Sequence, residues 1–179
     1  PNIIRVEVVP PGDDMTRPPA EWVFGVDQDI MPEWFDAERD EARTRAALVD
    51  WIAANVISGD RYSVTEGRVF IVGNATVQDV CGDATVQGVC GNATVQRVYD
   101  NATVTGVCGN ATVQRVYDNA TVQDVYDNAT VQDVCGNATV QHVYDNATVQ
   151  DVCGNATVQG VCGNATVQRV YGNATVHRV

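Results

Sequence analysis

From Asn74 to Val179 the chain is written in nines. The first unit reads Asn74-Ala-Thr-Val-Gln-Asp-Val-Cys-Gly82, and the pattern N-A-T-V-Q-x-V-[CY]-[GD] runs through twelve units, the last incomplete. Ala, Thr and Val at positions 2, 3 and 4, and Val at position 7, never change. Position 1 leaves Asn only at Asp83, and position 5 leaves Gln only at Thr105 and His177, so sequence freedom is confined to positions 6, 8 and 9. A short fixed period means that every unit repeats one structural element and buries its apolar side against its neighbours. Nine residues are too few for a pair of helices. The β-branched Thr-Val core of the unit favours strand, and the Gly/Asp-Asn junction favours a turn.

Side-chain parity then dictates the path of the chain. Ala at position 2 and Val at position 4 share one face of a strand, but Val at position 7 has the opposite parity and faces inward only if the backbone turns at positions 5 and 6. Each unit therefore has two corners, Gln-x and [CY]-[GD]-N. Two units close a four-sided coil of 18 residues, with coils about 4.8 Å apart. The fold class expected is mainly β, a parallel β-solenoid over 74–179. A coil of three units and 27 residues is the alternative, and it would align Cys81, Cys108, Cys135 and Cys162 in one column.

Position 8 alternates irregularly between Cys (81, 90, 108, 135, 153 and 162) and Tyr (99, 117, 126, 144 and 171). A close-packed interior does not tolerate that change of volume, so position 8 faces outward and its side chains stack in columns. Cys is always followed by Gly, and Tyr by Asp except at Gly172, which indicates two local forms of the corner.

The stretch A-T-V-Q-x, as in Ala75 to Asp79, resembles a pentapeptide repeat, in which a small residue and an aliphatic two later point inward. The other four residues of the unit depart from that pattern. Over 74–179 the chain is similar to bacterial β-solenoids of the pentapeptide-repeat type and of the polymer-forming bactofilin type. The resemblance implies an architecture and no particular activity.

Residues 1–73 lack the repeat and read as a small α+β module. Asn2 to Val9 alternates as a strand, Pro10 to Pro19 is a loop, and Glu21 to Val26 is a second strand. From Asp36, an N-cap residue, an amphipathic helix is expected over about 36–57, with Ala47, Leu48, Trp51, Ile52 and Val56 on one face. Ser58-Gly59-Asp60 ends it, and Arg68 to Val72 is the strand leading into the first coil. The expected role is a cap over the apolar end of the solenoid, with Trp22, Trp34, Phe35 and Trp51 supplying cover. The rival is a partner-recognition domain carried on a rod.

Charge excludes one class of partner. The chain has 23 acidic and 11 basic residues, divided 14 to 7 through Gly73 and 9 to 4 beyond it, so both parts are acidic and binding to nucleic-acid phosphates is disfavoured. Every basic residue is Arg, the mark of a GC-rich and hence bacterial genome. No apolar run is long enough to span a bilayer, and Pro1 to Pro11 has no signal-peptide pattern, so a cytoplasmic protein without membrane contact is expected. Pro at the start fits a removed initiator Met.

No catalytic, cofactor-binding or metal-ligating residues are assigned. The N-A-T triplets match a glycosylation acceptor, but glycans at that spacing would crowd, and Asn is explained by turn geometry and by stacking of like side chains. On an 18-residue coil Cys90 lies above Cys108 and Cys135 above Cys153, at about the Cα separation a disulfide needs; without a secretion signal, reduced thiols are expected. Asp100, Asp118, Asp127 and Asp145 are read as turn residues rather than calcium ligands. His142 and His177 are surface positions without catalytic partners, and the pairs Asp27/Asp29 and Asp36/Asp40 are solvated charges.

The function expected is a non-enzymatic structural or interaction scaffold. It is a rigid rod that associates with itself through its C-terminal coil or displays a binding face to another protein. The alternative is a binding module, either an ice-binding surface built on Thr columns or an acidic mimic of duplex DNA.

Overall fold

In the computed structural model of the chain, residues 3–178 are described. The Pro1 start, the strand onset at Asn2 and the final Val179 lie outside them. The chain forms two compact units, Pro1–Val56 and Ile57–Val179.

In the first unit, β1 (Val6–Val9) pairs antiparallel with β2 (Val23–Val26), and α1 (Ala37–Asn55) follows. Asp36 caps α1 by accepting from the Arg39 N–H at 2.8 Å. The helix ends earlier than the spacing predicted, because Val56 is already extended (φ −116°, ψ 124°) as the chain enters the two-residue strand β3 (Val56–Ile57). Arg45 ties α1 to the segment before β2, donating to the Pro19 and Trp22 carbonyls at 3.1 and 3.0 Å. Trp22 is buried and its Nε1 donates to the Arg17 carbonyl at 2.9 Å. Trp34 and Trp51 are 50% and 42% exposed, Phe35 is half-buried, and α1 has no buried residue.

In the second unit, twelve five-residue or four-residue strands follow one another, one per repeat, from β6 (Thr76–Val80) and β7 (Thr85–Val89) through β16 (Thr166–Val170) and β17 (Thr175–Arg178). Consecutive strands belong to different sheets. Even-numbered strands from β4 (Arg61–Val64) to β16 form a sheet of seven, and odd-numbered strands from β3 to β17 a sheet of eight. Partners are parallel and, between repeats, lie 18 residues apart, as in Thr76↔Thr94 and Val80↔Val98, whereas in the aperiodic first coil Arg61 pairs with Val77. The coil is therefore two repeats long, the 27-residue alternative does not occur, and about seven coils are stacked.

The parity argument holds at the level of side chains. Val at positions 4 and 7 and Ala at position 2 are 0% exposed in every unit from Ala93 to Val158. Two valines three residues apart in a straight strand would face opposite ways, so the backbone bends at Gln-x, and the pairing register passes over the Gln. Each fully buried Val contributes on the order of 1.5 kcal/mol or more of apolar burial.

The solenoid begins before the repeat does. Strands β4 and β5 (Arg68–Ile71) pair with β6 and β7, and Ile57, Val64, Val69 and Ile71 join the Ala/Val core. Residues 57–73 thus form a first coil whose inward positions are apolar although its sequence has no period. At the far side, β16 and β17 are the outermost strands, and Val170 is 47% exposed.

Candidate binding surface

With the core closed by Ala and Val, chemistry is confined to the outward positions, and the 18-residue register sorts these into columns. One position-8 column runs Cys81, Tyr99, Tyr117, Cys135, Cys153, Tyr171, and the other runs Cys90, Cys108, Tyr126, Tyr144, Cys162. Within each column the irregular order along the chain resolves into pairs of like residues, separated by steps from Cys to Tyr. Tyr99 stacks on Tyr117 and Tyr126 on Tyr144, with ring centroids 5.2 and 5.4 Å apart and planes within 6° and 5°. Cys90 is bonded to Cys108 and Cys135 to Cys153, with Cα atoms 4.8 and 4.7 Å apart. The expectation of reduced thiols is thus corrected for four of the six cysteines, because the spacing of neighbouring coils is already the spacing a disulfide needs. Cys81 and Cys162 are free.

Position 9 explains the two corner forms. Every Gly there, and each of Asp100, Asp118, Asp127 and Asp145 (φ 57° or 58°), has a positive φ. In the Tyr-Asp form, the Ala102 N–H donates to the Tyr99 carbonyl at 3.2 Å and closes a four-residue turn around Asp100. The Asp carboxylate also accepts from the backbone one coil earlier, from the Gly82 N–H to Asp100 at 3.1 Å and from the Gly109 N–H to Asp127 at 2.9 Å. These aspartates are committed to the backbone. Position 1 builds side-chain ladders, as where Asn92 donates to Asn74 at 3.0 Å and Asn110 to Asn92 at 3.3 Å.

Position 6 holds the charges. One column reads Asp79, Arg97, Arg115, Asp133, Asp151, Arg169. Arg97 grips Asp79 with two contacts, Nε–Oδ1 at 2.6 Å and Nη2–Oδ2 at 2.8 Å, and Arg169 grips Asp151 in the same way at 2.6 and 2.7 Å. Asp79 is only 5% exposed while the Arg97 side chain stays about a third open to solvent, and the hydrogen bonds between them hold the Arg97 guanidinium charged to still higher pH than usual. In the other column, His142 Nδ1 lies 3.0 Å from Asp124 Oδ1. His142 is at the surface as expected, but with a partner that only the 18-residue register supplies. His177 is exposed.

The Tyr columns titrate late. Tyr99 is pushed up to about 12, first by the hydrogen bond it shares with the Cys81 side chain and then by burial. Burial is the leading cause of the upward shifts of Tyr117, Tyr126 and Tyr144. In the first unit, Asp40 is held down to about 2, chiefly by the Arg39 guanidinium, and Asp27 pairs with Arg5 at 3.2 Å. Asp36 is engaged as the helix cap.

A notch of about 290 Å³ on the solenoid is lined by Arg115, Val116, Tyr117, Asp133 and Cys135. A groove of about 390 Å³ in the first unit is lined by residues that include Ile4, Val6, Trp34, Asp40 and Ala47. Among the described residues no three His, Cys, Asp or Glu side chains come together as a metal site, and no helix is long and apolar enough to cross a membrane. No protein-family model, curated protein or solved structure matches this chain.

Proposed function

We propose that the chain is a non-enzymatic structural or interaction scaffold, a short rigid solenoid that associates through its outermost strands and presents fixed columns of side chains. The observation that carries this reading is the uninterrupted core. Ala and Val fill coil after coil at 0% exposure, with disulfides and ion pairs joining neighbouring coils from outside. Seven coils at about 4.8 Å each make a body on the order of 34 Å long with little internal freedom. Such a body is suited to holding groups at fixed spacing.

Among the described residues β16 and β17 are each paired on one side only, and Val170 and Tyr171 are about half exposed there. A further coil of the same register fits that edge, and the similarity to polymer-forming bactofilin-type solenoids supports filling it with another copy. The acidic column is interrupted by the Arg97 and Arg169 pairs, which weighs against imitation of DNA. The two disulfides weigh against the cytoplasmic placement expected from the sequence and favour an oxidising compartment.

Light scattering across a concentration series tests the association. The expected result is a mass that rises in whole multiples of the chain and falls back to one chain when Val170→Arg places a charge on the edge strand. A single-chain mass at every concentration contradicts it.

A further inference from the structure

The Arg/Asp column has three places where opposite charges are neighbours, and they do not behave alike. At Asp79/Arg97 and at Asp151/Arg169 the guanidinium reaches the aspartate one coil before it and grips it with two contacts. At Arg115 the residue one coil before is another arginine, Arg97, and the aspartate, Asp133, lies one coil after. Among the described residues neither Arg115 nor Asp133 has an ion pair or side-chain hydrogen bond. The notch of about 290 Å³ opens between them.

The same step is a break in the position-8 column. Tyr117 carries Tyr99 on one face, at 5.2 Å and 6°. On its other side the next residue is Cys135, tied to Cys153, so a small sulfur stands where a third ring would continue the stack. The notch is the volume left by that exchange of Tyr for Cys. The corresponding step in the other column, Tyr144 to Cys162, differs: its position-6 neighbours are His142 and Gly160, and the His142 ring lies against Gly160, with Cδ2 3.2 Å from where a Cβ would stand. Only the Arg115 step combines an open ring face with two uncommitted opposite charges.

We propose that this notch binds a free aromatic α-amino acid as its zwitterion. The side-chain ring takes the place of the missing third ring, stacked on Tyr117 and touching the Cys135 sulfur at its edge. The α-carboxylate accepts from the Arg115 guanidinium, and the α-ammonium donates to the Asp133 carboxylate. A ligand with a single charge would leave one of these two groups facing it unpaired. The volume is that of a small-molecule site at the lower end of the usual range, which suits one amino acid rather than a protein segment. The site deepens the reading of the solenoid as a display of fixed columns but is independent of self-association, so a single-chain mass in light scattering leaves it standing.

The test is a titration of the full chain with L-phenylalanine and L-tryptophan, followed by amide chemical shifts. The expected result is saturable shifts confined to residues 115–117 and 133–135. 3-Phenylpropionate and phenethylamine, each lacking one charge, should bind about tenfold more weakly, the loss of one charge-assisted hydrogen bond. Arg115→Gln should weaken the amino acid by a similar factor, Tyr117→Ala should abolish its binding, and Arg97→Gln, at the paired step, should leave it unchanged. An unchanged dispersed spectrum certifies that each variant is folded. No shifts at those amides at millimolar ligand, equal binding of the singly charged analogues, or shifts that survive Tyr117→Ala overturns the proposal.

Discussion

The two units of this chain stabilise themselves in opposite ways. From Ala75 to Val161 every repeat buries the same three side chains, six to a coil, and repeats the same contacts to the coil before and after. The first unit has one buried Trp, a helix with no buried residue, and a set of particular ties such as Arg45 to the Pro19 and Trp22 carbonyls. Periodic burial spreads stability evenly, so a fault at any coil is felt by its neighbours; aperiodic burial concentrates it at a few residues.

Core charge is the harshest way to break the contrast. Val122→Asp buries an unpaired carboxylate in mid-solenoid and should cost more than about 4 kcal/mol, abolishing the solenoid's cooperative unfolding transition. Val49→Asp, on a helix position 52% exposed, should stay within about 0.5 kcal/mol. Urea unfolding followed by circular dichroism checks both; equal effects would contradict the difference between units.

Next in size are the staples. Replacing Cys90 and Cys108 together by Ala should lower solenoid stability by about 3 kcal/mol, the value for a loop of this length, and a reducing agent, which opens both bridges, should lower it further. No change in the urea midpoint on reduction would mean that the bridges are absent or idle.

Turn geometry gives a smaller effect. Gly91 has φ 77°, and a Cβ there would stand 3.0 Å from the Gly73 carbonyl oxygen, so Gly91→Ala should cost about 1–2 kcal/mol. Its counterpart in the first unit is Asp36→Ala, which removes the helix cap and should cost about 1 kcal/mol, read in the helical signal alone. Loss of strand signal in the second variant would show that the units do not respond separately.

The mildest probe is alkali. Tyr99 in the folded chain is raised from 10.0 to about 12, so its contribution is fully present below pH 10 and is lost as pH rises from 10 to 12. Ultraviolet titration of the tyrosines should show a late-ionising group, with the unfolding midpoint falling over that window. Tyrosines that all ionise near 10 would contradict the stacked, half-buried columns.

How far the sequence announced this molecule follows the same divide. The invariant Ala, Thr and Val positions announced the solenoid, and the parity of the second valine announced the bend at Gln-x. Asp36 and the spacing after it announced α1. Of the first coil only the strand expected over Arg68 to Val72, observed as β5, was legible; the inward Ile57 and Val64 were not, because they follow no period. Nor were the Arg97–Asp79 grip, the His142–Asp124 contact and the like-on-like columns, which join residues 18 apart and acquire meaning only once the register is known. The disulfide pairs were foreseen from the coil spacing but set aside on grounds of compartment, which the spacing of the thiols does not decide.

The central claim is that two repeats make one coil, and the cysteines report on it directly. Proteolysis of the native chain under non-reducing, alkylating conditions, followed by mass spectrometry, should recover Cys90 linked to Cys108 and Cys135 linked to Cys153, with Cys81 and Cys162 alkylated. Links spanning 27 residues, Cys81 to Cys108 or Cys135 to Cys162, would contradict the two-repeat coil and every column built on it.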